Sequence, residues 1–252
     1  MKSIKAGLIS LGCAKNQVDS ERMLSILEKN GIEIMATADE SDVIIINTCG
    51  FIEDAKKEAI ENILDMVKLK NENTIKKIIV TGCLAERYKD EIKKEIPEID
   101  GILGTGSYDD IAIAVKNVMA DENYISFKDK NKYMPDGDRI LTTPIYMGYL
   151  KIAEGCDNKC TYCAIPQIRG RYRSIPIEEL MRQAKLMYEE GVRELCVIAQ
   201  DSSRYGEDIY GEYSLAKLLK ELCKIDFKWI RVLYLYPDKV TDELIDVISS
   251  ED

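Results

Sequence analysis

The chain has 252 residues, a formal net charge of −10 and no histidine. Its 46% hydrophobic content suffices for one or two packed cores, and its acidic balance argues against direct binding of nucleic acid, which usually needs a basic surface. The N-terminus has no secretory signal pattern and no apolar run reaches the roughly 18 residues of a membrane span, so we expect a cytoplasmic protein with no membrane segment.

Short apolar runs alternate with helical periodicity over residues 1–122, which we expect to form the first domain. The predicted strands are Lys5–Leu11, Ile32–Met35, Val43–Ile46, Lys77–Val80 and Gly101–Leu103. The predicted helices are Val18–Asn30, Glu53–Lys70, Ala85–Glu95 and Tyr108–Met119. This alternation predicts an α/β domain with a mostly parallel sheet, of the Rossmann-like or flavodoxin-like kind.

Three cysteines of this first domain each follow a predicted strand: Cys13, Cys49 and Cys83. The carboxyl ends of parallel strands lie along one edge of a sheet, and ligands bind in the crevice outside that edge. Each cysteine stands beside a glycine, which allows close approach of the backbone. We therefore expect the three thiols to converge on a metal site. The alternative is three small hydrophobic side chains buried at strand ends.

A second βα series follows a charged, weakly periodic stretch, residues 123–143, that we expect to be an interdomain linker. In residues 144–252 the predicted strands are Ile145–Ile152, Glu194–Ala199 and Trp229–Leu235. The predicted helices are Pro176–Glu190, Leu215–Lys224 and Thr241–Ile248. Three βα units are fewer than a closed parallel barrel usually needs, so the second domain is predicted to be a partial (β/α) barrel.

The loop after the first strand of this domain carries Cys156, Cys160 and Cys163 at C-x3-C-x2-C spacing. Three thiolates hold three irons of a [4Fe-4S] cluster and leave the fourth iron open to a ligand. A zinc site is less favoured because it needs a fourth ligand nearby, and the next cysteine, Cys196, lies in a predicted buried strand. Another metal and structural thiols are the open alternatives.

Four segments resemble the radical S-adenosylmethionine methylthiotransferases, and the resemblance covers essentially the whole chain. They are Ser10–Glu21, Asn47–Ile52, Thr81–Tyr88 and Gln200–Gly206, together with the three-cysteine loop. They are most similar to the branch that methylthiolates the β-carbon of an aspartate in protein S-twelve of the small ribosomal subunit. The sister branch, which modifies adenosine in transfer RNA, is the alternative within the family.

The resemblance implies two [4Fe-4S] clusters and S-adenosylmethionine as cofactors. Cys156, Cys160 and Cys163 would bind the radical cluster, and Tyr162 would pack near the adenine. The three earlier cysteines, Cys13, Cys49 and Cys83, would bind an auxiliary cluster that carries the sulfur to be transferred. One S-adenosylmethionine would methylate that sulfur, and another would be cleaved to a 5′-deoxyadenosyl radical that takes hydrogen from the substrate.

Other polar residues have two readings. Gln200 and Asp201, at the end of a predicted strand, are candidate cofactor contacts or polar strand caps. The arginines that follow the cysteine loop could clamp a carboxylate or form a solvated turn; these are Arg169, Arg171 and Arg173.

The family pattern normally continues beyond this chain, through further barrel strands and a small β-barrel domain. We therefore expect a fragment, or a form with impaired activity. The expected partners are the ribosomal protein as substrate and an electron donor such as flavodoxin or ferredoxin. From another class, a two-cluster electron carrier is the alternative function.

Overall fold

The computed structural model describes residues 3–250, which form two compact units. The first unit comprises the described residues up to Tyr133 together with the segment Tyr162–Arg169. The second comprises Met134–Thr161 and the described residues from Gly170 onward.

The first unit contains a six-stranded parallel sheet. Its strands are β1 (Lys5–Ser10), β2 (Glu33–Met35), β3 (Val43–Thr48), β4 (Lys77–Gly82), β5 (Gly101–Leu103) and β6 (Tyr124–Ser126). The spatial order is β2-β1-β3-β4-β5-β6. The first five strands follow the flavodoxin-like order, in which the chain reverses direction across the sheet between β1 and β3. The predicted parallel α/β fold is confirmed.

Helices cover both faces of this sheet. They are α1 (Ala14–Lys29), α2 (Glu53–Asn71), α3 (Cys83–Arg87), α4 (Lys89–Glu95), α5 (Ile111–Met119) and α6 (Ile165–Arg169). Successive side chains of a strand point to opposite faces. Accordingly, Ile44 belongs to one apolar core with Ile63 of α2, whereas Ile45 belongs to the other with Leu27 of α1. Burial on both faces explains the unbroken apolar run of β3.

Two details of the first unit differ from the sequence prediction. The helix expected over Ala85–Glu95 is two helices, because Tyr88 has non-helical backbone angles of φ −127° and ψ 36°. The segment expected to be a linker supplies β6, which pairs in register with β5 (Gly101 opposite Tyr124). A strand of only three residues has too little periodicity to be detected, so its pairing partner defines it.

The second unit is built on a parallel sheet in the order β11-β10-β7. Its strands are β7 (Met147–Lys151), β8 (Ala153–Glu154), β9 (Arg173–Ser174), β10 (Glu194–Ile198) and β11 (Trp229–Val232). Its helices are α7 (Ile177–Glu189), α8 (Glu207–Tyr210), α9 (Leu215–Leu222) and α10 (Asp242–Ser250). The three predicted βα units are present, since β7, β10 and β11 are followed by α7, α9 and α10. The antiparallel pair β8–β9 was not predicted.

None of the helices within residues 3–250 combines the length and the apolar character needed to cross a membrane.

The second half of the predicted linker is fastened to α7. Glu179 accepts hydrogen bonds from Arg182 (Nε–Oε2 2.7 Å, Nη2–Oε1 2.8 Å), from Gln183 (2.9 Å) and from the backbone N–H of Gly137 (3.1 Å). Arg182 also pairs with Asp138 at 2.9 Å. The hydrogen bonds from Arg182 lower the pKa of Glu179 to about 2, against burial, which raises it.

We expect Glu179→Gln to lower the stability of the second unit by about 1 kcal/mol at neutral pH, as is typical of a partly exposed ion pair. Because the folded-state pKa lies below the unfolded value of about 4.3, this contribution is fully present above that pH. It is lost as the pH falls toward 2. Urea unfolding followed by the fluorescence of Trp229, the single tryptophan, measures the second unit. A difference between the two proteins that does not shrink on acidification would contradict the assignment.

Candidate functional site

The three early cysteines lie in three neighbouring loops at the carboxyl edge of the first sheet. Cys13 caps the amino end of α1 after β1, Cys49 directly follows β3, and Cys83 is the first residue of α3 after β4. β1 and β3 flank the point where the strand order reverses, which is where open α/β sheets bind ligands. Cys49 and Cys83 are buried and Cys13 is exposed.

Glycines let these loops touch. A Cβ placed on Gly12, which has φ +89°, would stand 2.9 Å from Sγ of Cys49. A Cβ on Gly50 would stand 2.8 Å from the backbone N of Leu84 and 3.0 Å from the carbonyl carbon of Cys83. Contacts under 3.0 Å are shorter than real Cβ atoms adopt, so the glycine beside one cysteine makes room for the loop that carries the next.

The electrostatics of Cys83 reflect its burial and the charges around it. Burial raises the pKa of the Cys83 thiol to about 12, while the Arg169 guanidinium opposes the shift and the nearby Cys13 and Cys49 add to it. Metal binding requires the thiolate, so a positive charge at this point favours the ligating form.

A buried polar framework surrounds the three loops. Asn16 donates from Nδ2 to the carbonyl oxygens of Leu11 (3.0 Å) and Thr48 (2.9 Å). Its Oδ1 accepts from Nη2 of Arg169 and from the thiol of Cys83, whose Sγ lies 3.5 Å away. Arg169 in turn pairs with the fully buried carboxylate of Asp19 at 2.9 Å. The sequence allowed Arg169 either to bind a carboxylate or to lie in a solvated turn. The structure shows that it binds a carboxylate, that of Asp19 in the same chain.

Two buried hydroxyls near these loops lack a hydrogen-bond partner within residues 3–250: Tyr108 and Thr81. The pKa of the Tyr108 hydroxyl is raised by burial and by Asp19, while Arg169 opposes the shift. Among the described residues, no group of cysteine, aspartate and glutamate side chains is placed to hold a single metal ion. A cubane of four irons is larger than one ion, so its thiolate ligands stand farther apart.

The C-x3-C-x2-C loop begins at another close approach. A Cβ on Gly155, which has φ +73°, would stand 2.6 Å from the carbonyl oxygen of Gly170. The backbone N–H of Cys156 donates to that same oxygen at 3.1 Å. Cys156 is buried, Cys160 is half-buried with its Sγ 3.9 Å from the Tyr236 hydroxyl, and Cys163 is half-buried.

A charged cluster braces this loop within the second unit. Lys239 Nζ donates to Asp201 Oδ2 at 2.6 Å and to Asn158 Oδ1 at 2.8 Å, and Asn158 Nδ2 donates to Asp201 at 2.8 Å. Burial raises the pKa of Asp201, but the hydrogen bonds from Lys239, Ser203 and Asn158 outweigh it and lower the pKa. Asn158 therefore ties the middle of the cysteine loop to the end of β10.

The other predicted cofactor contacts differ in their surroundings. The side chain of Asp201 is only 1% exposed and accepts hydrogen bonds from Asn158, Ser203 and Lys239. Gln200 is half-buried, and Tyr162 is 84% exposed. Sequence reasoning missed Asn16, Asn158 and Lys239. The first stands three residues after Cys13 and the second between two cysteines, which was the available signal; nothing local marks Lys239.

Two stretches of the chain are similar to known protein families. Residues 150–251 match the Radical SAM superfamily, and residues 5–104 match the family described as "Uncharacterized protein family UPF0004". A solved structure of the radical S-adenosylmethionine methyltransferase TsrM from Kitasatospora setae, with cobalamin and a [4Fe-4S] cluster bound, is similar in fold, with a TM-score of 0.64 at 10% identity. The similarity covers 99% of this chain and 59% of that one.

Closer relatives are named ribosomal protein uS12 methylthiotransferase RimO. The protein of Clostridioides difficile (strain 630) is 51% identical over 99% of this chain and 56% of its own length. Those of Thermoanaerobacter sp. (strain X514) and Aquifex aeolicus (strain VF5) are 49% and 48% identical, over 58% and 54% of their lengths. The chain is thus similar along its whole length to these methylthiotransferases, and it spans a little over half of their length.

We expect Lys239→Met to destabilise the second unit by about 3 kcal/mol, because it leaves the buried carboxylate of Asp201 without its cation. Cys156 should also react faster with iodoacetamide, since Asn158 loses one of its two anchors. Trp229 fluorescence in urea and mass spectrometry of the labelled chain measure the two effects. The control is Lys224→Met, which breaks an exposed pair with Glu221 and should cost at most about 0.5 kcal/mol. Equal stability of the two variants would contradict the role assigned to the Lys239–Asp201–Asn158 cluster.

Proposed function

We propose that this protein is an S-adenosylmethionine-dependent radical methylthiotransferase that modifies an aspartate of the small-subunit ribosomal protein S12. The observation that carries the proposal is the identity of 48–51% with relatives named for that activity, over 99–100% of this chain. The names of these relatives indicate the particular substrate, which the fold alone does not define. A ribosomal substrate places the proposed activity in the cytoplasm, and a one-electron donor such as flavodoxin or ferredoxin is the second proposed partner.

The residues of the first unit fit an iron–sulfur cluster. Cysteine thiolates are the usual ligands of a [4Fe-4S] cubane, and three cysteines lie here in neighbouring loops, one of them beside a positively charged guanidinium. The unpartnered hydroxyls of Tyr108 and Thr81 are available as donors to sulfur. We assign Cys13, Cys49 and Cys83 as ligands of an auxiliary cluster. Three ligands leave one iron for the sulfur that is transferred.

In the second site we assign Cys156, Cys160 and Cys163 as ligands of the radical cluster. When bound, the clusters and S-adenosylmethionine supply the radical and the sulfur, which no side chain here provides. The chain's own residues hold and orient them: Tyr162 is exposed and free to cover an adenine ring, and Gln200 is accessible at the end of β10. Asp201 acts through Asn158, by fixing the cysteine loop.

The activity is proposed to divide between two domains with the boundaries expected from sequence, residues 1–122 and 144–252. Each domain presents a cysteine loop at the carboxyl ends of parallel strands. This is the edge at which open α/β sheets bind their ligands.

Turnover tests the proposal directly. Anaerobically reconstituted protein is incubated with S-adenosylmethionine, dithionite and protein S12, and S12 is then analysed by tandem mass spectrometry. We expect a methylthio group in place of one hydrogen of an aspartate, together with 5′-deoxyadenosine. Formation of 5′-deoxyadenosine without modified S12, in a reaction where a full-length relative modifies it, would restrict the function of this chain to cleavage of S-adenosylmethionine.

Metal content tests the two cysteine sets. We expect about eight irons per reconstituted chain, four for each cubane. Alanine in place of Cys156, Cys160 and Cys163 should leave about four irons and abolish 5′-deoxyadenosine formation. Cys49→Ala should abolish methylthio transfer while some cleavage persists, because the radical cluster keeps its ligands. The half-buried Cys223, changed to alanine, is the control and should retain all the iron. Unchanged iron after loss of Cys13, Cys49 and Cys83 together would exclude the auxiliary cluster.

A further inference from the structure

Asn16 contacts the peptide segments of all three early cysteines. It is fully buried in the first turn of α1, three residues after Cys13. One N–H of its amide binds the carbonyl oxygen of Leu11 at 3.0 Å, in the loop that leads to Cys13. The other binds the carbonyl oxygen of Thr48 at 2.9 Å, the residue before Cys49. Its Oδ1 receives the thiol of Cys83 at 3.5 Å.

Further bonds fix the amide itself. Nη2 of Arg169 donates to Oδ1, and the carboxylate of Asp19 holds that guanidinium in place at 2.9 Å. On the main chain, the carbonyl oxygen of Asn16 accepts from Nδ2 of Asn47 at 2.9 Å. Arg169 therefore fixes the amide through its oxygen, while the two N–H groups bind the carbonyl oxygens of Leu11 and Thr48.

No other side chain of this size offers the same set of bonds. A carboxamide combines two N–H donors with an oxygen that accepts two hydrogen bonds. Aspartate would present acceptors to two carbonyl oxygens, and leucine, of similar shape, would leave both carbonyls without this donor. The backbone pairing of β1, β3 and β4 does not involve this side chain. Replacing Asn16 should therefore disturb the loops and leave the sheet intact.

We propose that Asn16 is the positioning residue that sets the spacing of the thiols of Cys13, Cys49 and Cys83. The proposal rests on the proposed function only for the identity of the group that the thiols bind. Asn16 does not touch the reacting atoms. It acts by holding the Leu11 and Thr48 carbonyls at one fixed separation and by presenting its oxygen to Cys83 and Arg169.

The test uses the full chain with Cys156, Cys160 and Cys163 changed to alanine, so that only the first unit can hold a cluster. Into this background we introduce Asn16→Leu, with Asn30→Leu as control. Asn30 lies just after the last turn of the same helix and is exposed, with its amide bonded to Ile26. Asn16→Ser, which is small enough to admit water, replaces the leucine variant if that variant does not fold, as judged by circular dichroism and by hydrogen exchange of β3.

Two readouts are independent of activity. In the metal-free protein, iodoacetamide should label Cys49 and Cys83 about tenfold faster in Asn16→Leu than in the background or in Asn30→Leu, because the loops open. After anaerobic reconstitution, the background and Asn30→Leu should retain about four irons and Asn16→Leu fewer than about two.

Slow labelling of both thiols together with full iron retention in a folded Asn16→Leu chain would overturn the inference and leave the proposed function intact. A background protein that binds no iron would instead remove the auxiliary cluster from the proposed function. In that case the labelling alone decides the role of Asn16: faster labelling supports it and unchanged labelling overturns it.

Discussion

The close approach of the strand-end loops of the first unit is the constraint on which the candidate site depends. Parallel strands end at one edge, but neighbouring loops ordinarily stand apart by the width of their side chains. Here Gly12 and Gly50 lack the Cβ that would strike the loop of the next cysteine. The backbone of one loop lies directly on the next, and thiols that are far apart in the chain become neighbours. A single alanine at Gly12, with its φ of +89° and Cys49 in the way, would separate them.

Such tight loops leave many backbone and side-chain polar groups without water. The first unit pairs several of them with buried polar side chains. Asn16, Asn47 and Asp19 are all fully buried, and each is hydrogen-bonded to a residue from a different part of the unit: Thr48, Ser20 and Arg169. Removing one side chain of such a network lowers the free energy of unfolding more than replacing the whole network with apolar residues, because the remaining partner stays buried and unpaired. The polar framework therefore constrains the orientation of the loops.

The second unit meets the same requirement with different residues. Its cysteine loop follows β7 and is attached to the end of β10 through Asn158, Asp201 and Lys239. The apolar core of this unit includes Leu150 of β7 and Val197 of β10. In both units the sheet determines where the cysteine loops lie, and a small number of buried polar contacts determines how those loops are oriented. That division matches a site whose chemistry is carried by a cofactor, since the protein's part is to hold it.

The sequence by itself determined the elements and the cysteine pattern. The unbroken apolar run Val43–Ile46 is typical of a strand buried on both faces, and cysteines that follow parallel strands share an edge whatever the strand order. Tertiary structure decided what has no local signature: β6 within the expected linker, the helix break at Tyr88, and the partners of Asn16 and Lys239. Arg169 and Asp19 are 150 residues apart in the chain. Periodicity reports which face of an element is buried, whereas the partner of a buried polar group is set only when distant elements have packed together.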